Sequence, residues 1–496
     1  MNETEIWTGL VAGNVNYQLN NDFKLKSITV NNTQPVQFKY DDDGLLTQAG
    51  NLEIQRNEHS GFVERTNLGR VSDERHYNEF GELDSYAATF GGQVLFETQY
   101  QRDALGRIVK MTEKILGDSK TRSFDYDSNG RLEKEFENGQ LIAQYHYDSN
   151  GNRTSLTTPE VITNSSHDAQ DRLISSGNAA YSYNNFGQLN GMNKGQETIR
   201  YNYDELGNLR KVTKPGVGTI EYLSDGHNRK IGTKVNGDLV SGLIYKDELN
   251  PVAQFDAKGN LQSVFVYGTE QYVPNYIVKG GRTFRLITDH LGSVRLVVDI
   301  ESGKVEQRID FDAFGVVIED TNPGFQPFGF TGGIYDNLTG LVRFGARDYD
   351  PHTGRWTSKD PILFDGGETN LYSYAGNDPV NWIDVYGLSA SPPTLSPNGT
   401  GIWTVKQARS LIYSESRRFS RSITDLQYGE TVEEIDTCEE TPGWIRVRYV
   451  REHSGETFEG YMPVHDFMPR NVLQPGQAPG RQGTGRGGSI GSAARG

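Results

Sequence analysis

Cysteine is almost missing from this chain of 496 residues: Cys438 stands alone, so no internal disulfide can form and cohesion has to come from backbone pairing and side-chain packing. Long apolar runs are missing as well. No stretch approaches the roughly 20 apolar residues that a membrane-spanning helix needs, and only 35% of the residues are hydrophobic. The opening residues, Met1-Asn2-Glu3-Thr4-Glu5-Ile6-Trp7, lack the basic and apolar regions of a signal peptide. Export would therefore need a specialised secretion system or an upstream region. Excess positive charge is lacking too: 49 Lys and Arg against 65 Asp and Glu leave a net charge of −16, the wrong sign for a face that holds nucleic acid. There is no Cys/His metal spacing, no phosphate-binding glycine loop and no Gly-x-Ser-x-Gly elbow. The nine histidines are scattered, so neither a metal nor another cofactor is expected.

Glycine and tyrosine are abundant instead, with 57 and 26 residues, a balance that disfavours helices. They recur in a fixed order, with Gly a few residues after Tyr and often a basic and an aliphatic residue next. Examples are Tyr40 with Gly44-Leu45, Tyr77 with Gly81, Asp103 with Gly106-Arg107-Ile108, and Tyr126 with Gly130-Arg131-Leu132. The series continues with Tyr147 and Gly151, Tyr183 and Gly187, and Tyr203 and Gly207. Tyr126 and Tyr147 are 21 residues apart and Tyr183 and Tyr203 are 20 apart, a period that signals stacked units. Each unit reads as strand, tight turn, strand: Asp or Asn bonds to nearby backbone, Gly accepts positive φ, and the flanking aromatics suit a pleated surface. Phe124-Asp125-Tyr126 and Tyr145-His146-Tyr147 alternate with period two. The expectation is an all-β chain built on a long, spiralling antiparallel sheet.

The densest pattern occupies residues 325–388. It includes Tyr335-Asp336, Thr339-Gly340-Leu341, Arg343, Arg347-Asp348-Tyr349-Asp350-Pro351, Gly354-Arg355-Trp356, Asp360-Pro361, Asn370-Leu371-Tyr372-Ser373-Tyr374 and Asp384-Val385-Tyr386-Gly387-Leu388. This segment resembles the core-associated segment that closes the shell of Rhs (YD-repeat) proteins, a family that includes polymorphic toxins and the C components of insecticidal toxin complexes. The resemblance implies YD/RHS repeats over 1–280 and an autoproteolytic core-associated region over 281–388. It implies an intramolecular aspartic protease that cuts the Leu388–Ser389 bond, with the C-terminal segment enclosed as cargo until delivery into a target cell. Shells of the family are longer, which implies a second shell component or a missing N-terminal part. Delivery machinery and an immunity protein are further partners of this kind. Two departures stand out: Leu363-Phe364 follows Ile362 where the family usually has Gly-Leu, and Val385 stands where Pro is expected.

The family's two aspartates fall on Asp336 and Asp348, with Arg343 or Arg347 placed to hold the ionised partner. Thr339-Gly340 reads as a turn, and a hairpin there would bring the carboxylates together. At close range one carboxyl keeps its proton, giving an acid and a base that can activate water against a peptide carbonyl. Asp350, Asp360 and Asp384 compete for these roles, although Asp350 and Asp360 each precede a Pro, which suits turn capping, as does the plain reading of all these aspartates. His290, in Asp289-His290-Leu291-Gly292, reads as structural.

Composition changes after Leu388. Residues 389–400 read as an extended linker. Residues 401–470 run as short strands, with Gly443-Trp444-Ile445 before a final Gly460-Tyr461-Met462-Pro463, an order similar to bacterial SH3-like domains. The resemblance implies a small barrel that binds peptide or cell-wall material in an aromatic groove, with Tyr413, Trp444 and Tyr461 as candidates; Trp444 reads equally well as core. Residues 471–496, rich in Gly, Gln, Arg and Ser, cannot bury a core and are expected to be disordered. The alternative from a different class is a non-catalytic cell-surface or adhesion scaffold that displays the SH3-like module. A third reading makes residues 389–496 a toxin enzyme, but no catalytic set is visible there.

Overall fold

The computed structural model describes residues 2–393 and seven strands between Ile402 and Pro469. From Asn2–Trp7 to Val317–Asp320 the chain forms a 31-stranded antiparallel sheet in which each strand pairs with the next along the chain. Burial alternates as the pleat requires: along Val71–Tyr77 the odd positions are buried up to Arg75 and the even ones are half-buried or exposed. A sheet this long twists and must curl on itself to cover its apolar face. Leu52, Leu68, Phe96, Ile108 and Leu132 from the first half therefore share one core with Ile287, Leu296 and Phe314 from the second. Buried ion pairs tie the same layers. Arg285 reaches Asp73 at 2.6 Å across 212 residues of chain, and Arg295 grips Glu113 at 2.5 Å and Asp310 at 2.8 Å. Among the described residues no helix is long and apolar enough to cross a membrane.

One turn recurs along the sheet. In residues 127–131, Gly130 N–H donates to Asp127 O at 3.0 Å and Asp127 N–H to Arg131 O at 2.9 Å. Asp127 Oδ1 accepts the N–H groups of Asn129 and Arg131 at 2.8 and 3.0 Å. Gly130 has φ +82°, a region that costs an ordinary L-residue about 1–2 kcal/mol. The same frame appears at Asp103, Asp148, Asn184 and Asp204. It also appears at Asp168 and Asp225, where Asp171 (φ +60°) and Asn228 (φ +69°) replace the Gly. Successive units then lock together. Tyr126 Oη donates to Ile108 O at 2.6 Å and Tyr147 Oη to Leu132 O at 2.9 Å. Arg107 lies 4.6 Å from the Tyr126 ring and Arg131 4.7 Å from the Tyr147 ring. The repeated Tyr thus binds the unit before it, which explains why Tyr, Gly and Arg travel together in the sequence.

After Asp320 the chain leaves the ladder and crosses the line of turns. Asn381 accepts Ile108 N–H at 2.8 Å, Asn377 donates to Gly151 O at 2.9 Å, and Tyr372 Oη donates to Gly187 O at 2.7 Å. A small sheet, Ile334–Tyr335, Val342–Phe344, Arg347–Asp350 and Arg355–Trp356, supports this segment. Phe344, Tyr349, Trp356 and Tyr374 nest beside it, with Tyr349 and Tyr374 centroids 4.3 Å apart. Such ring pairs add about 0.5–1.5 kcal/mol each beyond burial. The ladder strands run on to Asp320, so residues 281–388 contain both the last of the ladder and the segment that crosses it. His290 joins the two: its Nε2 lies 2.8 Å from Val380 O.

Beyond Ser391, which pairs with Ile383, seven strands form a third antiparallel sheet. Its spatial order is Ser422–Gln427, Arg409–Tyr413, Thr457–Pro463, Trp444–Val450, Thr431–Thr437, Ile402–Val405, Phe467–Pro469. Tyr413 pairs with Tyr461 and Trp444 with Pro463. The side chains of the three candidate groove residues lie outside the described residues. Residues 394–400 of the expected linker and the tail 471–496 lie outside the described residues.

Candidate functional site

Asp336 and Asp348 are placed by different strands. The expected hairpin forms, with Gly340 at φ +80° and Asp336 N–H on Leu341 O at 2.9 Å. Asp348, however, lies on the next strand over: Ile334 pairs with Arg343, and Arg343 with Asp348. Two strand spacings put the main chains of the two aspartates about 10 Å apart. Tyr222 Oη donates to Asp336, and Lys230 Nζ sits 3.8 Å from the Tyr222 ring and 3.3 Å from Asp348. Arg343 completes the Asp348 pair at 2.9 Å and donates to Asn208. Despite its burial, Asp348 is held below the usual carboxylate range by Lys230 and Arg343. The two cations favour its charged form. Asp336 borders a cavity of about 350 Å³ with Tyr222 and Lys230.

The Leu388–Ser389 bond sits elsewhere, in a tight cleft lined by Arg347, Asp360, Glu368 and Asp384. Asp384, 2% exposed, accepts the N–H groups of Leu388 at 3.0 Å and Ser389 at 3.1 Å on Oδ1. Arg347 Nη2 reaches Asp384 at 3.1 Å and Asp360 at 2.8 Å, and its Nε donates to Gly387 O at 2.5 Å. Trp356 fixes the guanidinium from one side, 4.2 Å away. Gly366 makes room for the meeting of groups: a Cβ there would stand 2.6 Å from Leu388 O and 2.9 Å from Asp360 Oδ2. A second glycine contact seats the turn, because a Cβ on Gly345 would strike Tyr386 O at 2.3 Å, the same oxygen that accepts Ala346 N–H at 2.8 Å.

Burial dominates the electrostatics of the cleft. It pushes Asp360 up to about 7 against the pull of Arg347, with the Asp384 charge adding to the rise. It pushes Glu368 up to about 7 as well, against hydrogen bonds from Ser373 and from Gly376 N–H. Asp384 is also raised by burial. Asp360 and Asp384 share one guanidinium and Glu368 stands beside them with neutral donors, so the set holds a proton near neutrality. Arg347 and Asp348 explain the division between the two neighbourhoods. They are adjacent on one strand, so their side chains leave by opposite faces; Arg347 faces the bond and Asp348 faces Lys230. Of the expected site residues, the structure brings Arg347, Leu388 and Ser389 together, and Asp336, Asp348 and Arg343 lie apart from them. Asp360 and Asp384, the competing candidates, stand at the bond, and Glu368 went unnoticed in the sequence. Only the double Gly366-Gly367 and the Asp-Pro at 360 offered a signal there.

Comparison with known proteins bears on the whole arrangement. Residues 1–380 match the teneurin YD-shell family. Teneurin-4 of Homo sapiens is 26% identical over 392 residues, covering 75% of this chain and 14% of its own length. The tRNA3(Ser)-specific nuclease WapA of Bacillus spizizenii is 27% identical over 300 residues, covering 58% of this chain and 12% of its own length. The chain thus spans about one seventh of the curated teneurins it matches. Among solved structures, the crystal structure of TcdB2-TccC3-TEV aligns with 78% of this chain and 23% of its own at a TM-score of 0.55 and 17% identity. The Tc holotoxin pore of Photorhabdus luminescens aligns with 78% of this chain and 21% of its own at a TM-score of 0.56. At this identity the likeness is one of fold, and the fold it shares is the curled antiparallel ladder described above. With the Tyr-turn ladder and a match that runs from its first residue to residue 380, the chain is a YD/Rhs-repeat shell protein and belongs to the teneurin YD-shell family.

Proposed function

We propose that this shell encloses or carries its own C-terminal segment and severs it from itself at Leu388–Ser389. The observation that carries the reading is the convergence around that bond of Asp384, which accepts the Ser389 N–H, and Asp360, which borders Gly366 together with the Leu388 carbonyl, with Arg347 bridging the two carboxyls. Asp360, raised to about 7, retains a proton at neutral pH and donates it toward the carbonyl oxygen as water adds. Asp384 and Arg347 hold the peptide still, and the residual charge of the carboxyl set accepts the proton of the attacking water. This assigns the acid–base work to Asp360 and Asp384 in place of Asp336 and Asp348, whose partners keep them occupied. Denaturing electrophoresis of the purified chain tests it: two pieces divided after Leu388 are expected, and a single intact band for Asp360→Asn.

As in the Tc assemblies, a second shell component fits such a chain, and delivery machinery, an immunity protein and release from the producing cell by a specialised route belong to the same reading. The seven-stranded sheet would serve as an SH3-like module, with Tyr413, Trp444 and Tyr461 as candidates to receive peptide or cell wall. A second reading is a scaffold that displays this module without cutting. Val385 favours it: it follows Asp384 where a proline ring would fix φ and restrict Asp384 to extended conformations that present the bond.

A further inference from the structure

Cutting would change the charge of the cleft, and the geometry shows where the new charge would go. Hydrolysis adds the oxygen of water to the Leu388 carbonyl carbon. The C–N bond breaks with its electron pair on the Ser389 nitrogen, and that nitrogen takes up protons to become an α-ammonium while Leu388 ends in a carboxylate. The Ser389 nitrogen already points at Asp384 Oδ1, 3.1 Å away, before any cut. Around it stand the carboxyls of Asp384, Asp360 and Glu368, and among the described residues Arg347 is the one cation lining the cleft.

We propose that the Asp384 cleft is a binding site for an α-ammonium, the new N-terminus of the C-terminal piece, and that this ion pair anchors the severed piece to the shell. The inference rests on cleavage at Leu388–Ser389. Even with a proton held among its three carboxyls, the uncut site has one guanidinium to offset them, and the new Leu388 carboxylate adds negative charge. The ammonium meets it in place, without a rearrangement, because the hydrogen bond to Asp384 becomes a charge-assisted one. Ser391 stays paired with Ile383, so the first residues of the severed piece are held at both ends of a three-residue reach. An amine among carboxylates is protonated more firmly than one in water, so on the alkaline side the anchor weakens when the amine loses its proton, and on the acid side when Asp384, raised by burial, takes one up.

The test uses the cut protein as purified, first confirmed as two bands on a denaturing gel. It is treated with an acetylating ester over a range of pH, and mass spectrometry follows modification of the peptide that begins at Ser389. The same fragment in denaturant gives the reference, where an α-amine titrates at about 7.7–8.0. The half-modification pH in the folded complex should lie at least about one unit higher, which is a tenfold tighter hold on the proton, and the pieces should co-elute below that pH. Equal midpoints, or a lower one in the folded state, would overturn the ammonium site while leaving cleavage standing. A single uncut band overturns both readings, and the gel tells the two failures apart.

Discussion

Arg347 and Asp348 are chain neighbours that serve separate neighbourhoods, and substitutions at the residue scale should separate them cleanly. Asp348→Asn leaves Lys230 and Arg343 buried without their anion, a loss of about 3–5 kcal/mol for breaking a buried pair, yet the cut should proceed while the protein is folded. Asp360→Asn should do the reverse, abolishing the cut with little loss of stability, since the isosteric amide keeps the volume and still accepts from Arg347. Urea midpoints and gel lanes for the two variants give four readings. If Asp348→Asn blocks cutting in folded protein and Asp360→Asn does not, the acid–base assignment made here is wrong. The resemblance implied Asp336 and Asp348, and the proposed role moves to Asp360 and Asp384, which stand nearer the bond. Spacing along a chain says nothing of strand faces once a third strand has been inserted between the two residues.

At the scale of one element, the turn is the unit that repeats, and its tolerance follows from backbone geometry. Gly130→Val places a β-branched residue at φ +82°, where about 1–3 kcal/mol of strain is expected. Gly130→Asn should cost less than half of that, because Asn enters this region readily and Asn228 occupies the matching place in another unit at φ +69°. Thermal melting of the two variants checks the ordering, and equal losses would mean that contacts rather than φ set the cost. Most of this element was legible in the sequence, since Tyr, Asp or Asn, Gly and Arg each have a local reason to be there. The units at Asp168 and Asp225 escaped a search keyed on Gly because Asp171 and Asn228 supply the same φ.

For the molecule as a whole, the segment that crosses the turns carries an unusual store of raised carboxyls: Asp360, Glu368 and Asp378 are each pushed up to about 7, chiefly by burial. A carboxyl whose folded value exceeds its unfolded value of about 4 contributes stability that is full below the unfolded value and lost as pH rises through 7. His167 and His290 are lowered by burial and act in the opposite sense, but only below their unfolded value of about 6.5. Asp73 and Asp348, held low by their cations, matter only as pH falls below about 4. The melting temperature should therefore fall between pH 6.5 and 8, and hydrogen exchange should show residues 360–384 loosening first. A flat or rising profile over that window would contradict the burial of these groups. The two pieces of a cut chain should nonetheless co-elute at neutral pH, because one broken peptide bond leaves the ladder and its aromatic contacts in place. Free dissociation of the smaller piece in native buffer would favour the display scaffold.

What the amino-acid order determined by itself was local: strands from alternation, turns from Asp, Asn and Gly, stacking from a period near 20 residues, and the absence of disulfides from a lone Cys438. The place of Leu388–Ser389 was visible too, through the run that ends in Gly387-Leu388. The tertiary structure decided which groups meet there. Arg347, Asp360, Glu368 and Asp384 lie up to 37 residues apart along the chain and share a cleft because Gly345 and Gly366 permit close backbone approach. Their proton affinities arise from shared burial, and no single residue's neighbours in sequence encode that.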